Sequence, residues 1–230
     1  MFWSFVSPKG GVGVSVVAAS VAAVLSKEQP VTLVDFCGDQ PAIFGVGDDE
    51  AQTQGVHEWL AADSSVTPEA LSNLEIEVTD ALRIIPAGSS RCATMSAERC
   101  TQLVAALRQN RTVIADVGVL SADPVAPRSL VCAAGDQTTI VLRACYLALQ
   151  RVRACPVVLD HVVELVEGGR SLRTIDIEAV LGQPVTSRLP VDPVVARAVD
   201  AGLIARRIPR QLRRAVEDLR AESPARAVAR

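Results

Sequence analysis

A glycine-rich segment near the start of the chain has the residue types and spacing of a phosphate-binding loop. Residues 7–15 read SPKGGVGVS, with three glycines within four positions, between a short apolar segment and a stretch of helical period. Glycines allow backbone N–H groups to converge on an anion, and a helix N-terminus adds a favourable potential there. We therefore predict that phosphate groups are bound by Gly10, Gly11, Val12, Gly13, Val14 and Ser15. The alternative is a tight strand-to-helix turn that binds no ligand.

The segments around this loop predict the fold that positions it. Short apolar segments rich in β-branched residues alternate with longer segments of helical period, which is typical of a parallel sheet with crossover helices. We expect a three-layer α/β/α fold with a mainly parallel, twisted sheet of about seven strands. One domain would span residues 1–220, with a frayed tail at 221–230. The predicted strands are Phe2–Ser7, Val31–Phe36, Leu82–Pro86, Thr112–Val117, Thr138–Arg143, Val157–Val166 and Val185–Pro190.

The remaining segments are predicted to be helices and surface loops. Residues 37–81 carry short helical patches between turn-forming residues, and we expect switch-like loops there. The predicted helices are Ser15–Ser26, Val56–Ala62, Thr67–Leu74, Ala97–Arg108 and Pro193–Ala205.

The loop resembles the deviant Walker A motif, KGGxGK[ST], of the ParA/MinD family of P-loop ATPases. In that motif Lys9 is the signature lysine. The chain has only two lysines, Lys9 and Lys27, among 23 basic residues. A lysine at this position in a chain otherwise rich in arginine favours a chemical requirement for it.

The resemblance continues through three later segments. VTLVD at Val31–Asp35 is similar to the strand that ends in the family's acidic A′ motif, and TVIADV at Thr112–Val117 is similar to its Walker B strand, with Asp116. LPVDPVV at Leu189–Val195 resembles the strand and loop that flank the adenine, which suggests Pro190 and Asp192 as cofactor-binding residues. The segments at residues 38–47 and 82–88 are also similar to MinD relatives of the CpaE/TadZ pilus-positioning kind.

The resemblance implies a function and a set of roles. The cofactors would be ATP or ADP with Mg²⁺. Ser15, Asp35 and Asp116 would be the metal ligands, and Lys9, Asp35 and Asp116 the catalytic residues. The family's signature lysine reaches the partner's phosphates across a nucleotide-sandwich dimer, so a homodimer is expected. The function would be spatial organisation, as in chromosome partitioning or in placement of a septum, pilus or secretion system.

Departures from the motif favour weak nucleotide chemistry. Val14 stands where the general Walker lysine is expected, and Cys37 stands where the second A′ acid is expected, with Asp39 two positions later. Loss of a charge-assisted phosphate contact would weaken binding by roughly 10-fold to 150-fold, and hydrolysis should suffer more than binding. Two hypotheses remain: a positioning ATPase with weak or absent hydrolysis, and a non-hydrolysing scaffold that dimerises and recruits a partner. No added substrate motif supports an enzyme that couples ATP to small-molecule chemistry.

Positive charge is concentrated at the C-terminus. The chain has 23 basic and 26 acidic residues, for a net charge of −3. Residues 197–230 hold nine arginines and four acids, so this segment carries +5 and the rest of the chain −8. Apolar residues recur at helical spacing from Ile208 to Leu219, which predicts a basic amphipathic helix. That helix is either packed on the sheet with a solvated arginine face or binds an acidic protein partner, acidic lipid or, non-specifically, DNA.

Other features exclude function classes. The aromatic fraction of 3% argues against nucleic-acid binding through base stacking. The six cysteines lack metal-ligand spacing, and His57 and His161 have no nucleophile motif beside them. No signal peptide and no transmembrane segment is recognisable. We therefore expect a cytoplasmic protein, with recruitment to the nucleoid, a pole or the inner membrane face as further options.

Overall fold

The structure is a computed structural model that describes residues 1–46, 54–62, 66–89, 96–108 and 111–222. Within these residues the strands are β1 (Phe2–Ser7), β2 (Val31–Asp35), β3 (Ile76–Thr79), β4 (Leu82–Ile85), β5 (Thr112–Val119), β6 (Gln137–Leu142), β7 (His161–Val166) and β8 (Ser187–Pro190). The helices are α1 (Val14–Leu25), α2 (Gln40–Phe44), α3 (Val56–Ala61), α4 (Ala97–Leu107), α5 (Pro127–Ala134), α6 (Tyr146–Val152), α7 (Thr174–Leu181), α8 (Pro193–Asp200) and α9 (Arg210–Ala221), with a 3-10 helix at Pro68–Leu74.

The strands form one sheet in the order β3-β4-β2-β5-β1-β6-β7-β8. Every neighbouring pair is parallel except β3 and β4, which are antiparallel. Strand β1 lies between β5 and β6, so the loop that follows it opens at the centre of the carboxyl edge. The expected three-layer fold with a mainly parallel sheet is confirmed.

Side chains alternate along the central strands and build one apolar core on each face of the sheet. Trp3 and Phe5 pack with α1, α2 and α9, whereas Phe2 and Val6 pack with the helices of the opposite layer. Helix α1 has apolar residues on nearly all sides because it is covered by the sheet on one side and by α9 on the other. This double burial fixes the helix that carries the predicted phosphate loop.

The structure has one strand more than the sequence predicts. The additional strand, β3, reads IEVT, with its side chains alternately half-buried and exposed at the edge of the sheet. Such an edge strand lacks the continuous apolar run that marks a strand buried on both faces.

Two predicted elements are at least four residues shorter in the structure. The strand predicted from Val157 begins at His161, and just before it the carboxylate of Asp160 accepts the backbone N–H of Thr138 in β6. The helix predicted to reach Ala205 ends at Asp200. There the chain turns at Gly202, whose φ is 63°, and a Cβ on this residue would lie 2.5 Å from the Cα of Gly45.

A buried histidine of the central core gives a stability prediction. The ring of His161 packs against Trp3 with the two ring centroids 5.5 Å apart, and neither ring nitrogen has a hydrogen-bond partner among the residues that the structure describes. Burial lowers the pKa of His161 below its ordinary value of 6.5. Protonation therefore favours the unfolded chain, and the stability contributed by the neutral ring is lost as the pH falls below 6.5.

We expect His161→Leu to raise the free energy of unfolding by about 1–3 kcal/mol at neutral pH, because an uncompensated buried polar group is removed. Denaturant unfolding at several pH values measures this. The difference in free energy of unfolding between variant and wild type should grow as the pH falls from 7 to 5. A constant or shrinking difference would contradict a buried, neutral His161. His57 is present in both proteins, so its own titration cancels in the comparison.

The basic amphipathic helix predicted near the C-terminus is present as α9. Leu212, Ala215, Val216 and Leu219 are buried against α1 and β8. The arginines of the other face are exposed, and Arg220 pairs with Glu28 at 2.9 Å. Nearly all of the predicted frayed tail, residues 223–230, lies outside the described residues, and the single-domain boundary at residue 220 stays a prediction. No helix in the described ranges has the length and apolar character to cross a membrane.

Candidate functional site

The predicted phosphate loop connects β1 to α1 at the carboxyl edge of the sheet. Gly11 and Gly13 adopt left-handed conformations, with φ of 72° and 79°, and Gly13 is the N-cap of α1. A Cβ placed on Gly10 or Gly11 would meet no atom within 4 Å, so the backbone there faces open space. The loop therefore exposes its backbone at a helix N-terminus, the arrangement that binds phosphate oxygens.

The loop forms one wall of a cleft of about 760 Å³. Gly11, Gly13 and Ser15 line it from the loop, Asp39 from the segment after β2 and Gly118 from the end of β5. Clefts of this size at the carboxyl edge of a parallel sheet are typical ligand sites.

The two residues that decide the loop's charge lie in different environments. Val14, the first residue of α1, is 8% exposed and belongs to the core, so an apolar side chain fills the place of the motif's second lysine. Lys9 is half-buried and is not part of the cleft wall. No carboxylate of the described residues lies within ion-pair distance of Lys9.

Asp35, at the end of β2, lies beside Asp116 of β5, and both are fully buried. The carboxylate of Asp35 accepts three backbone N–H groups, from Cys37 and Gly38 at 2.8 Å and from Gln40 at 2.9 Å. Burial, and then the negative charge of Asp116, raise the pKa of Asp35 to about 7. Burial also raises the pKa of Asp116. Two such carboxylates favour a bound cation, which would offset the cost of ionising them.

Gln40, at the first position of α2, connects the loop to this acidic pair. Its side-chain amide donates to Asp116 at 2.8 Å and to the backbone oxygen of Ser15 at 3.0 Å. The hydroxyl of Ser15 donates in turn to Asp39 at 3.2 Å. The sequence does not predict a role for Gln40. The one feature that points to this residue is its polar side chain, shortly after the strand that ends in the A′ motif.

The thiol of Cys37 completes the cluster, because its sulfur lies 3.6 Å from Oδ1 of Asp116. The possible ligand atoms of Asp35, Cys37 and Asp116 all lie within 4.8 Å of one another. Burial, followed by the charge of Asp116, raises the pKa of Cys37, so the thiol stays protonated and donates to its neighbours. The two carboxylates and the nearby Ser15 hydroxyl form an oxygen donor set that suits Mg²⁺, for which a neutral thiol is a poor ligand.

Pro190 and Asp192, predicted to flank a base, are not among the residues that line the cleft. Pro190 ends β8, and Asp192 is the N-cap of α8, with its carboxylate accepting the backbone N–H of Val194 at 2.7 Å. The side-chain amide of Gln211 donates to the same carboxylate. Their cofactor role stays a prediction.

Gly118 gives a prediction for the shape of the site. Its φ is 73°, and a Cβ on this residue would lie 2.3 Å from the sulfur of Cys37. We expect Gly118→Ala to lower the free energy of unfolding by about 1–3 kcal/mol, through strain and overlap together. Denaturant unfolding measures the loss, and Cys37→Ala in the same chain should recover the part that is due to overlap.

Gly168→Ala is the matched control, since Gly168 has no positive φ and a Cβ on this residue would meet no atom within 4 Å. The expected change there is within about 0.5 kcal/mol. Equal effects at the two glycines would contradict the described packing around Gly118.

No protein-family model matches the sequence, and no curated protein does. Solved structures do match over nearly the whole chain. A ParA family ATPase from Chlorobium tepidum is 22% identical, with a TM-score of 0.73 over 95% of this chain and 96% of that one. The septum site-determining protein MinD of Pyrococcus horikoshii, complexed with Mg-ADP, is 16% identical, with a TM-score of 0.74 over 97% and 96%. An ATP complex of a McdA variant from Cyanothece is 15% identical, with a TM-score of 0.75 over 100% and 99%. This chain therefore has the fold of the ParA/MinD ATPases.

Proposed function

We propose that this protein is an ATP-binding positioning factor with weak or absent ATP hydrolysis. The observation that carries this proposal is the arrangement at the cleft. An exposed glycine loop lines the cleft, the amide of Gln40 joins that loop to the buried carboxylate of Asp116 behind the cleft wall, and an apolar side chain fills the lysine position. The first two features suit Mg²⁺ and polyphosphate, and the third removes a cation that hydrolysis needs. The solved ParA, MinD and McdA structures support a role in partitioning or placement, to which we add pilus or secretion-system placement as a specific candidate.

Different residues of the chain would bind the phosphates and the metal ion. Backbone N–H groups from Gly10 to Ser15 bind the phosphate oxygens, and Ser15, Asp35 and Asp116 would hold Mg²⁺, which when bound would neutralise phosphate charge. Gln40 orients Asp116 through its amide, since it donates to that carboxylate at 2.8 Å. Lys9, the remaining catalytic candidate, lies outside the cleft wall and is assigned to the phosphates of a second subunit.

A non-hydrolysing scaffold is the second candidate, and the burial of Val14 favours it. Phosphoryl transfer concentrates negative charge in the transition state, and one positioned cation there is worth about 10³–10⁵ in rate. A valine packed into the core supplies no such charge. In this alternative the bound nucleotide stabilises a dimer that recruits its partner without turning over.

Sedimentation velocity and phosphate release together test the proposal and separate the two candidates. We expect a monomer without nucleotide or with Mg·ADP and a dimer with Mg·ATP. A dimer that decays as phosphate is slowly released indicates the positioning ATPase, whereas a dimer that persists without phosphate release indicates the scaffold. A sedimentation profile unaffected by Mg·ATP at every protein concentration would contradict both.

The arginine face of α9 is proposed to bind an acidic surface, either of a protein partner or of DNA. Arg210, Arg213 and Arg214 are exposed on this helix, and no carboxylate of the described residues pairs with them. In a chain whose other residues sum to −8, this face offers the main long-range attraction for an anion.

Changing these three arginines to alanine should weaken salt-sensitive association with duplex DNA and reduce the slope of log K against log salt by about 3. Fluorescence anisotropy across a salt series measures the slope. Removing Arg83, Arg108 and Arg153 is the charge-matched control and should change it much less. Equal effects of the two triple variants would contradict a specific role for α9.

A further inference from the structure

Two arginines enter the cleft from opposite sides of the phosphate loop. Arg128 lies in the first turn of α5, after β5, and Arg143 directly follows β6. Because β1 lies between β5 and β6 in the sheet, the loop that follows β1 is flanked by both side chains. The cleft thus holds positive charge that does not come from the loop's own sequence.

Arg128 is held in place by backbone oxygens. Its Nη2 donates to the carbonyl of Phe36 at 2.9 Å, and its Nη1 donates to the carbonyl of Val119 at 3.2 Å. These carbonyls lie at the ends of the two strands that carry the acidic pair. The same Nη1 lies 3.4 Å from a Cβ position built on Gly118, so the guanidinium lies against the cleft wall at the end of β5.

The charge of Arg128 has no carboxylate partner within ion-pair distance among the residues described. Two of its five N–H donors are satisfied by neutral carbonyls, which orient the group without neutralising it. A half-buried guanidinium of this kind favours an anion, and its planar fork matches two phosphate oxygens.

Arg143 differs from Arg128 in this respect. Its Nη1 lies 3.4 Å from the carboxylate of Glu167, so its charge is partly balanced within the chain. It therefore serves as a comparison within the same cleft.

We propose that Arg128 is the phosphate-binding cation of this cleft and supplies from α5 the charge that Val14 does not supply from the loop. The ligand is the polyphosphate of a nucleotide. The proposal rests on the proposed nucleotide-binding function and adds a residue that the loop motif does not contain.

Calorimetric titration with Mg·ATP and, separately, with inorganic tripolyphosphate tests this role. We expect Arg128→Gln to weaken binding of both ligands by roughly 10-fold to 150-fold, because one charge-assisted contact is lost. Arg128→Lys keeps the charge and should fall between the wild type and Arg128→Gln. Arg143→Gln should have a smaller effect than Arg128→Gln, and Arg153→Gln, at an exposed site outside the cleft, should have none.

A double-mutant cycle links Arg128 to the missing lysine. If both positions serve the same phosphates, Val14→Lys should improve binding by a larger factor in the Arg128→Gln chain than in the wild type. If Val14→Lys improves binding by the same factor in both chains, the two effects are independent. That result would contradict the proposal that Arg128 takes the place of the missing lysine. Circular dichroism and thermal unfolding show whether each variant is folded. If Arg128→Gln does not fold, Arg128→Lys provides the test instead.

The outcomes separate the two proposals. If the wild type binds Mg·ATP and Arg128→Gln binds it equally well, the role of Arg128 is overturned and the proposed function stands. Wild-type protein that binds neither Mg·ATP nor tripolyphosphate overturns both.

Discussion

Replacing Val14 with lysine should tighten Mg·ATP binding by roughly 10-fold to 150-fold and should accelerate hydrolysis by more than that factor. Val14 occupies the first position of α1, and its side chain lies between the core and the cleft. A lysine there can lay its methylene groups along the apolar surface and place its ammonium group in the cleft. The added charge acts most on the transition state, where negative charge on the phosphates is greatest.

Val24→Lys is the matched control, because it adds the same residue to the last turn of the same helix, away from the cleft. Calorimetry measures the affinity and a phosphate-release assay the rate. A Val14→Lys protein that is folded but binds and hydrolyses Mg·ATP no better than Val24→Lys would contradict the account of the loop. A wild type that already turns over ATP as fast as the lysine variant would contradict the proposed weak hydrolysis.

Lys9→Ala should abolish most of the nucleotide-linked dimer and leave the monomer intact. The side chain of Lys9 is half-buried, outside the cleft wall and without a carboxylate partner among the described residues, so its charge is available to a second subunit. In a two-fold symmetric dimer the contact occurs twice. Losing two charge-assisted contacts should weaken the dimer by about 10²–10⁴-fold.

Lys27→Ala is the control, since Lys27 is the chain's other lysine and is exposed two residues after the end of α1. Sedimentation equilibrium with Mg·ATP measures the dissociation constant of each dimer. Lys9→Ala and Lys27→Ala dimers of equal strength would refute the contact, and so would a dimer whose strength does not depend on nucleotide.

The centre of the fold is readable from the sequence because its signals are local. An apolar strand, a glycine loop and an apolar helix follow one another within the first 25 residues, and Asp35 and Asp116 each come at or near the end of a strongly apolar strand. The resemblance to the family's motifs predicts both acids and Ser15 as one set of metal ligands, and parallel strands that meet at one edge bring such residues together.

The parts that were missed depend on contacts between distant segments. Gln40 belongs to a five-residue helix with no periodic pattern, and its role appears only when its amide reaches Asp116, 76 residues later. Arg128 is one of 21 arginines, and only the packing of α5 on the ends of β2 and β5 sets it apart from the others. Strand β3 was missed because pairing at an edge, rather than burial on both faces, makes it a strand.

Calorimetric titration of the wild-type chain with Mg·ATP tests the central claim most directly, that the cleft beside the glycine loop binds a magnesium nucleotide. We expect saturable binding of one nucleotide per chain that weakens when Mg²⁺ is chelated and is lost in Asp116→Ala, since that carboxylate belongs to the proposed metal site. Absence of binding at millimolar Mg·ATP, or binding that is equally strong in Asp116→Ala, would contradict the account.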